Sequence, residues 1–157
     1  MKASLFAVAL FLATSGAAEA AGDEMKFPYF MSFKADEVFM REGPSKEHRI
    51  KWIYHRRGLP VEVIGSFDVW RRVRDMDGTE GWVHRTMLSP TRTAVLIGKG
   101  DSVLHAKADL ESRALANVEP GAIGELERCQ GNACDLDFGD LDGWIDRTRL
   151  WGVNGSD

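Results

Sequence analysis

The sequence predicts an all-β fold of two small barrels in tandem behind an N-terminal leader. Three observations predict it. Gly81-Trp82-Val83-His84-Arg85-Thr86-Met87-Leu88 recurs as Gly143-Trp144-Ile145-Asp146-Arg147-Thr148-Arg149-Leu150, and a recurring block at a fixed offset marks repeated supersecondary units. Short apolar runs alternate with turn-forming clusters, the pattern of strands rather than helices. The only stretch with helical length, Ala106 to Val118, runs into Glu119-Pro120-Gly121, and it is read as a loop by analogy with Arg41 to Trp52 in the first unit.

Residues 1–20 read as a secretory signal peptide. Lys2 supplies the basic start, Leu5 to Ala13 is an unbroken apolar run, and Ala18-Glu19-Ala20 is a small-x-small cleavage site. The run is far shorter than the roughly 20 residues that span a bilayer, so stable membrane insertion is not expected. The expected division is a signal peptide at 1–20, an N-terminal segment at 21–30, a first unit at 31–92, a second at 93–153 and a tail at 154–157.

Within the first unit, Val61-Glu62-Val63-Ile64 follows a Gly-Leu-Pro break and reads as a strand. Val69 to Arg74 reads as the next strand. Asp75 to Gly81 holds Asp77-Gly78, a hairpin signal, before Trp82-Val83 begins another. The second unit repeats the plan, with Asp137 to Gly143 as its turn. Gly58 falls opposite Gly121, Val63 opposite Leu126 and Val73 opposite Leu136, while Val38-Phe39 is aligned with Val103-Leu104. A barrel of about sixty residues has a marginal core, which packing against a second barrel would support.

Cys129 and Cys134 flank Gln130-Gly131-Asn132-Ala133. An even cysteine count behind an export signal points to a structural disulfide. Two strands joined by a Gly-Asn turn would bring facing Cβ atoms to about 4.5–5.5 Å. The spacing is not that of a Cys-x-x-Cys redox motif, and two thiols alone are a poor metal set.

Charge and composition narrow the functional classes. The chain has 157 residues, 44% hydrophobic, with net charge −4, which argues against a general nucleic-acid binder. Residues 31–92 carry 12 Lys/Arg against 9 Asp/Glu, and residues 93–157 carry 6 against 12. This asymmetry fits two solvated or mutually attracting halves, or two different binding faces. Lys51, His55, Arg56, Arg57, Arg71, Arg72 and Arg74 are either solvated charge or a site for acidic peptides, anionic polymer or lipid headgroups. Trp52, Tyr54 and Trp70 interleave with them and could stack on a ligand or cover a barrel end. Asp135, Asp137, Asp140 and Asp142 lack the order of a calcium loop. The four histidines show no ligand spacing, and no nucleophile elbow or phosphate loop is present. No metal, cofactor or catalytic residue is therefore expected.

Val38-Phe39-Met40-Arg41, Gly58, Trp70-Arg71-Arg72-Val73 and Gly81-Trp82-Val83, in that spacing, resemble a bacterial Src-homology-3 (SH3) domain. The whole of residues 31–153 resembles tandem SH3-like proteins exported to the Gram-negative envelope, a largely uncharacterised group. The cysteine pair and Leu150-Trp151-Gly152-Val153 share in that likeness. The resemblance implies a periplasmic, non-catalytic binding module for a peptide, a peptidoglycan fragment or an envelope protein. It places the ligand site at Trp70, Arg72, Trp82, His84 and Met87. His84 stands where the family usually carries proline, and the groove tyrosines of eukaryotic relatives are not evident, which argues against Pro-rich ligands. In the second unit Ala133 takes the place of Trp70, so that unit is expected to be mainly structural, its groove given up to the disulfide. The alternative is an accessory subunit acting through an exposed edge.

Overall fold

The computed structural model describes residues 26–155 and 157; the expected signal peptide lies outside the described residues. Fourteen strands are present, with no α-helix among the described residues. The first seven are β1 (Tyr29–Phe33), β2 (Val38–Arg41), β3 (Ile50–Tyr54), β4 (Pro60–Phe67), β5 (Trp70–Arg74), β6 (Glu80–His84) and β7 (Leu88–Ser89). The second seven are β8 (Thr93–Leu96), β9 (Ser102–His105), β10 (Ala114–Val118), β11 (Ile123–Gln130), β12 (Ala133–Asp137), β13 (Asp142–Asp146) and β14 (Leu150–Trp151).

The strands form two seven-stranded antiparallel sheets. The first has the order β3-β2-β6-β5-β4-β1-β7, and the second runs β10-β9-β13-β12-β11-β8-β14, the same order seven strands on. The all-β, SH3-like expectation therefore holds. Period-two patterning explains each core. Val38 and Met40, Val61 and Val63, Val73 and Val83 point inward on β2, β4, β5 and β6, and Phe33 and Leu88 close the cluster. Leu96, Leu104, Cys134, Leu136, Ile145 and Leu150 do the same in the second sheet.

Three expectations need correction. Arg41 to Trp52 and Ala106 to Val118 are not simply loops. Each contains a loop that returns as a strand, β3 or β10, paired to β2 or β9. These strands pair on one side only; β3 exposes four of its five side chains and β10 has none fully buried, so no inward-facing alternation betrays them. The sheet also begins at Tyr29, within the segment assigned to the N-terminal extension. Finally, Val38-Phe39 aligns with Ser102-Val103, not Val103-Leu104. Phe39 and Val103 are both 39% exposed, while Met40 and Leu104 are both buried. A one-residue slip would turn every side chain of the strand to the wrong face.

Buried polar chemistry fixes the β5–β6 hairpin. The Tyr54 hydroxyl donates to Asp75 Oδ2 at 2.6 Å, and Asp75 Oδ1 accepts the N–H groups of Asp77 (3.0 Å) and Thr79 (2.8 Å). Burial, and then the Asp75 carboxylate, push the Tyr54 phenol well above its ordinary pKa, so it remains a donor. In the second unit Cys129 and Cys134 are directly opposed on β11 and β12 and form a disulfide. Gly131, at φ 58°, makes the turn between them.

The two sheets meet along a continuous seam. Thr93 Oγ1 donates to Gly58 O at 2.6 Å, Ser32 Oγ donates to Thr91 O at 2.8 Å, and the Arg56 guanidinium donates to Gly121 O. Ile123 of the second sheet packs on the first core. Phe30 meets Trp151 edge-on at 5.4 Å, with the Arg92 guanidinium 5.6 Å from its centroid. Arg92 in turn holds Asp157 through two 2.9 Å bonds and Gly152 O through one of 2.8 Å.

Tyr54→Phe leaves one oxygen of a buried carboxylate without its donor. It is expected to destabilise the protein by about 2 kcal/mol in urea unfolding; an unchanged midpoint would mean the bond contributes nothing. Replacing both cysteines with serine opens a short loop and is expected to cost about 2 kcal/mol, read the same way with and without reductant.

Candidate functional site

A groove of about 310 Å³ lies on the first unit, lined by Glu37, Phe39, Arg41, Lys46, Trp70, His84, Thr86 and Met87. Its walls come from separate parts of the chain: β2 and its following loop on one side, the start of β5, the end of β6 and the 3-10 turn Arg85–Met87 on the other. Trp70 pairs with His84 across β5 and β6, so both side chains leave the same face of the sheet. Their rings meet edge-on at 5.3 Å. Trp70 is 8% exposed, so it is a floor, while Phe39 supplies an open aromatic wall.

Three of the five residues expected at a site, Trp70, His84 and Met87, come together here. Arg72 and Trp82 are one cross-strand pair further along the same face and do not line the groove. Arg72 is engaged by Glu80 at 2.7 Å, and Arg74 reaches the same carboxylate at 3.0 Å. Hydrogen bonding from Arg74 and then Arg72 holds Glu80 below the ordinary carboxylate range. Of the rest of the expected basic cluster, His55 and Arg57 meet carboxylates, while Lys51, Arg56 and Arg71 donate to backbone carbonyls. His55 lies 3.8 Å from Glu37, Arg57 is 3.1 Å from Asp36, and Lys51 donates to Glu80 O at 2.8 Å. Glu37, Phe39, Arg41, Lys46 and Thr86 also line the groove and were not among the expected site residues. Phe39 was legible as an apolar residue facing out of an inward-patterned strand.

His84 also has a local structural task. It caps the turn Arg85–Met87, accepting the Thr86 N–H at Nδ1. Asp146 caps Arg147–Arg149 identically, accepting from Thr148 N at 2.9 Å. The pairing of His84 with Asp146 in the recurring block therefore reflects a shared cap.

The second unit keeps a groove where it was expected to have lost one. A depression of about 330 Å³ lies between Val103, His105, Leu110, Asp146 and Arg149. What changed is the lining. Ala133 replaces Trp70 and is fully buried, and Arg149 replaces Met87 and donates to the carbonyls of Ile97, Lys99 and Gly100. The neighbouring Trp144 is covered by the Arg128 guanidinium, 5.2 Å from its centroid. Arg128 also pairs with Asp135 at 3.0 Å, yet burial keeps the Asp135 carboxyl raised.

The groove, its aromatic floor and the hairpin-rich sheet around it now bear on family. Residues 34–90 match the family model of the bacterial SH3 domain. The matched SH3 segment runs from the end of β1 past β7 and carries every residue of the 310 Å³ groove. No curated protein matches the chain. The solved structures of NlpC2 and NlpC1 from Trichomonas vaginalis are similar at 12% and 11% identity, each with a TM-score of 0.36. Those likenesses cover 83% and 87% of this chain and 52% and 51% of theirs. The chain thus spans about half their length, and a likeness this loose bears on neither its fold nor its function.

The cap yields a direct test. His84→Asp is expected to keep the thermal midpoint, as Asp146 does in the second unit, whereas His84→Ala loses about 1 kcal/mol. Equal melting of all three forms would mean the cap is dispensable.

Proposed function

We propose that this protein is an exported, non-catalytic binding module of the cell envelope that takes an extended segment in the groove of its SH3 domain. The segment belongs to a peptide, a peptidoglycan fragment or an envelope protein. One observation carries the reading. Trp70, His84 and Met87, drawn from separate elements, line one groove opposite the exposed ring of Phe39. An aromatic slot with a few polar groups on its rim suits a chain bound by its side chains and backbone together. The leader at residues 1–20 supports a periplasmic address for such a module. The tandem plan supports a division of labour, with the aromatic groove on the first unit alone.

A second reading rests on β3, an edge strand that exposes Ile50 (43%), Trp52 (57%) and Ile53 (42%). An accessory subunit could pair through that edge instead.

Binding to isolated peptidoglycan sacculi and to envelope extract separates the two. Phe39→Ser alters an exposed wall without touching the core, and Trp70→Ala removes the floor. Loss of sacculus binding in both, with Phe39→Ser keeping the wild-type thermal midpoint, is the expected result. Retention by both variants, with loss in Trp52→Ser, would remove the groove and leave the edge.

A further inference from the structure

A larger concavity, about 780 Å³, adjoins the first groove, with Thr86 bordering both. Its apolar surface comes from Tyr29, Phe30, Met31, Leu88 and Pro90, and its charge from Lys26, Lys34, Arg71 and Arg85. No acidic side chain lines it. Elsewhere in the unit Arg49 is matched by Glu42, Arg57 by Asp36, and Arg72 and Arg74 by Glu80, while Arg41, Lys51 and Arg56 donate to carbonyls one by one; here four cations share one space. None of the four groove cations makes an ion pair among the described residues. The Arg71 guanidinium donates only to the carbonyls of Asp68 and Trp70.

Four like charges around a concave, partly apolar wall repel one another and focus a positive potential into the space between them. An arriving anion relieves that repulsion. The shape and lining say which kind. The volume is that of a site for a small ligand or a short peptide stretch, not for a lone ion. A bare inorganic anion would leave the apolar floor wet. A bilayer surface is flat and cannot follow a concavity. A long polyanion would meet the acidic second unit, where residues 93–157 hold 12 Asp/Glu against 6 Lys/Arg.

We propose that this groove is a second binding site, and that it takes an acidic peptide segment of a partner protein, with carboxylates flanking an apolar side chain. The carboxylates meet the Lys34 and Arg85 side of the rim, and the apolar side chain covers Met31 and Leu88. The site is independent of the aromatic groove and stands whether or not that groove binds anything.

The test uses the purified protein with two blocked hexapeptides, Glu-Leu-Glu-Glu-Leu-Glu and its Gln-for-Glu counterpart. Inorganic phosphate and phosphatidylglycerol vesicles are run beside them. The acidic peptide is expected to bind at least about tenfold more tightly than the neutral one, and to weaken as salt is raised. Lys34→Glu with Arg85→Glu is expected to abolish that preference. Both side chains are exposed, and an unchanged thermal midpoint confirms that the variant folds. Phe39→Ser is expected to leave acidic-peptide binding intact, which separates this site from the aromatic groove. Equal binding of the two peptides, a preference that survives the double charge reversal, a preference lost in Phe39→Ser, or binding of phosphate or vesicles in place of the peptide would each overturn the proposal.

Discussion

Everything on the first unit's surface depends on two backbones passing unusually close. Strand β6 stays paired with β5 along its length and meets β2 on its other side, at Trp82 beside Gly81. A Cβ on Gly81 would collide with the Met40 side chain and sit 2.9 Å from Arg41 O. Gly143 plays the same part, with a would-be Cβ 2.8 Å from His105 O and 2.9 Å from Leu104 Cγ. Only the residue without a side chain permits the approach. The close approach seats the β2–β3 hairpin beside β6. Without it, Phe39 would have no Trp70 to face, and neither groove wall would exist. The Gly-Trp-Val and Gly-Trp-Ile blocks thus mark a point of close strand approach, and the tryptophan after each glycine takes the other face, half-buried at Trp82 and buried under Arg128 at Trp144.

On this common frame the two units have been finished differently. The positions filled in the first unit by Trp70, His84 and Met87 hold Ala133, Asp146 and Arg149 in the second. Arg149 is tied down to three carbonyls, and a covalent cross-strand link sits beside Ala133. Small side chains and local bonds stabilise the second unit where the first has a large aromatic floor. The frame tolerates both because its core alternation, Val63 opposite Val73 and Leu126 opposite Leu136, is unchanged.

What the sequence made legible was whatever left a local pattern. The recurring block, the Gly58 and Gly121 turns and the Cys129–Cys134 hairpin follow from local spacing, whereas the Trp70, His84 and Met87 grouping was implied by the resemblance to the bacterial SH3 domain. Strands β3 and β10 left no such trace, since an edge strand with Ile50, Trp52 and Ile53 in solvent has no buried face to alternate against. The slip in aligning β2 with β9 has a related cause. Val38-Phe39 and Val103-Leu104 look alike as letters, and only burial distinguishes an inward position from an outward one. His84 was singled out for a ligand, although Asp146 in the same slot already spelled a cap. The cationic groove was least legible of all. Lys26, Lys34, Arg71 and Arg85 are spread over sixty positions, and only the folded sheet gathers them.

The seam between the sheets makes the pair a ruler. Gly58 lends its carbonyl to Thr93, Ile123 completes the neighbouring core, and Arg92 clamps Phe30 on one side and Asp157 on the other. A chain joined by a slack tether would let its halves search independently, and a partner touching both would have to arrest that search. Here the separation between the first unit's grooves and the second unit's depression is set during folding. Anything held by the proposed first-unit groove would therefore meet the second unit at one fixed distance and orientation.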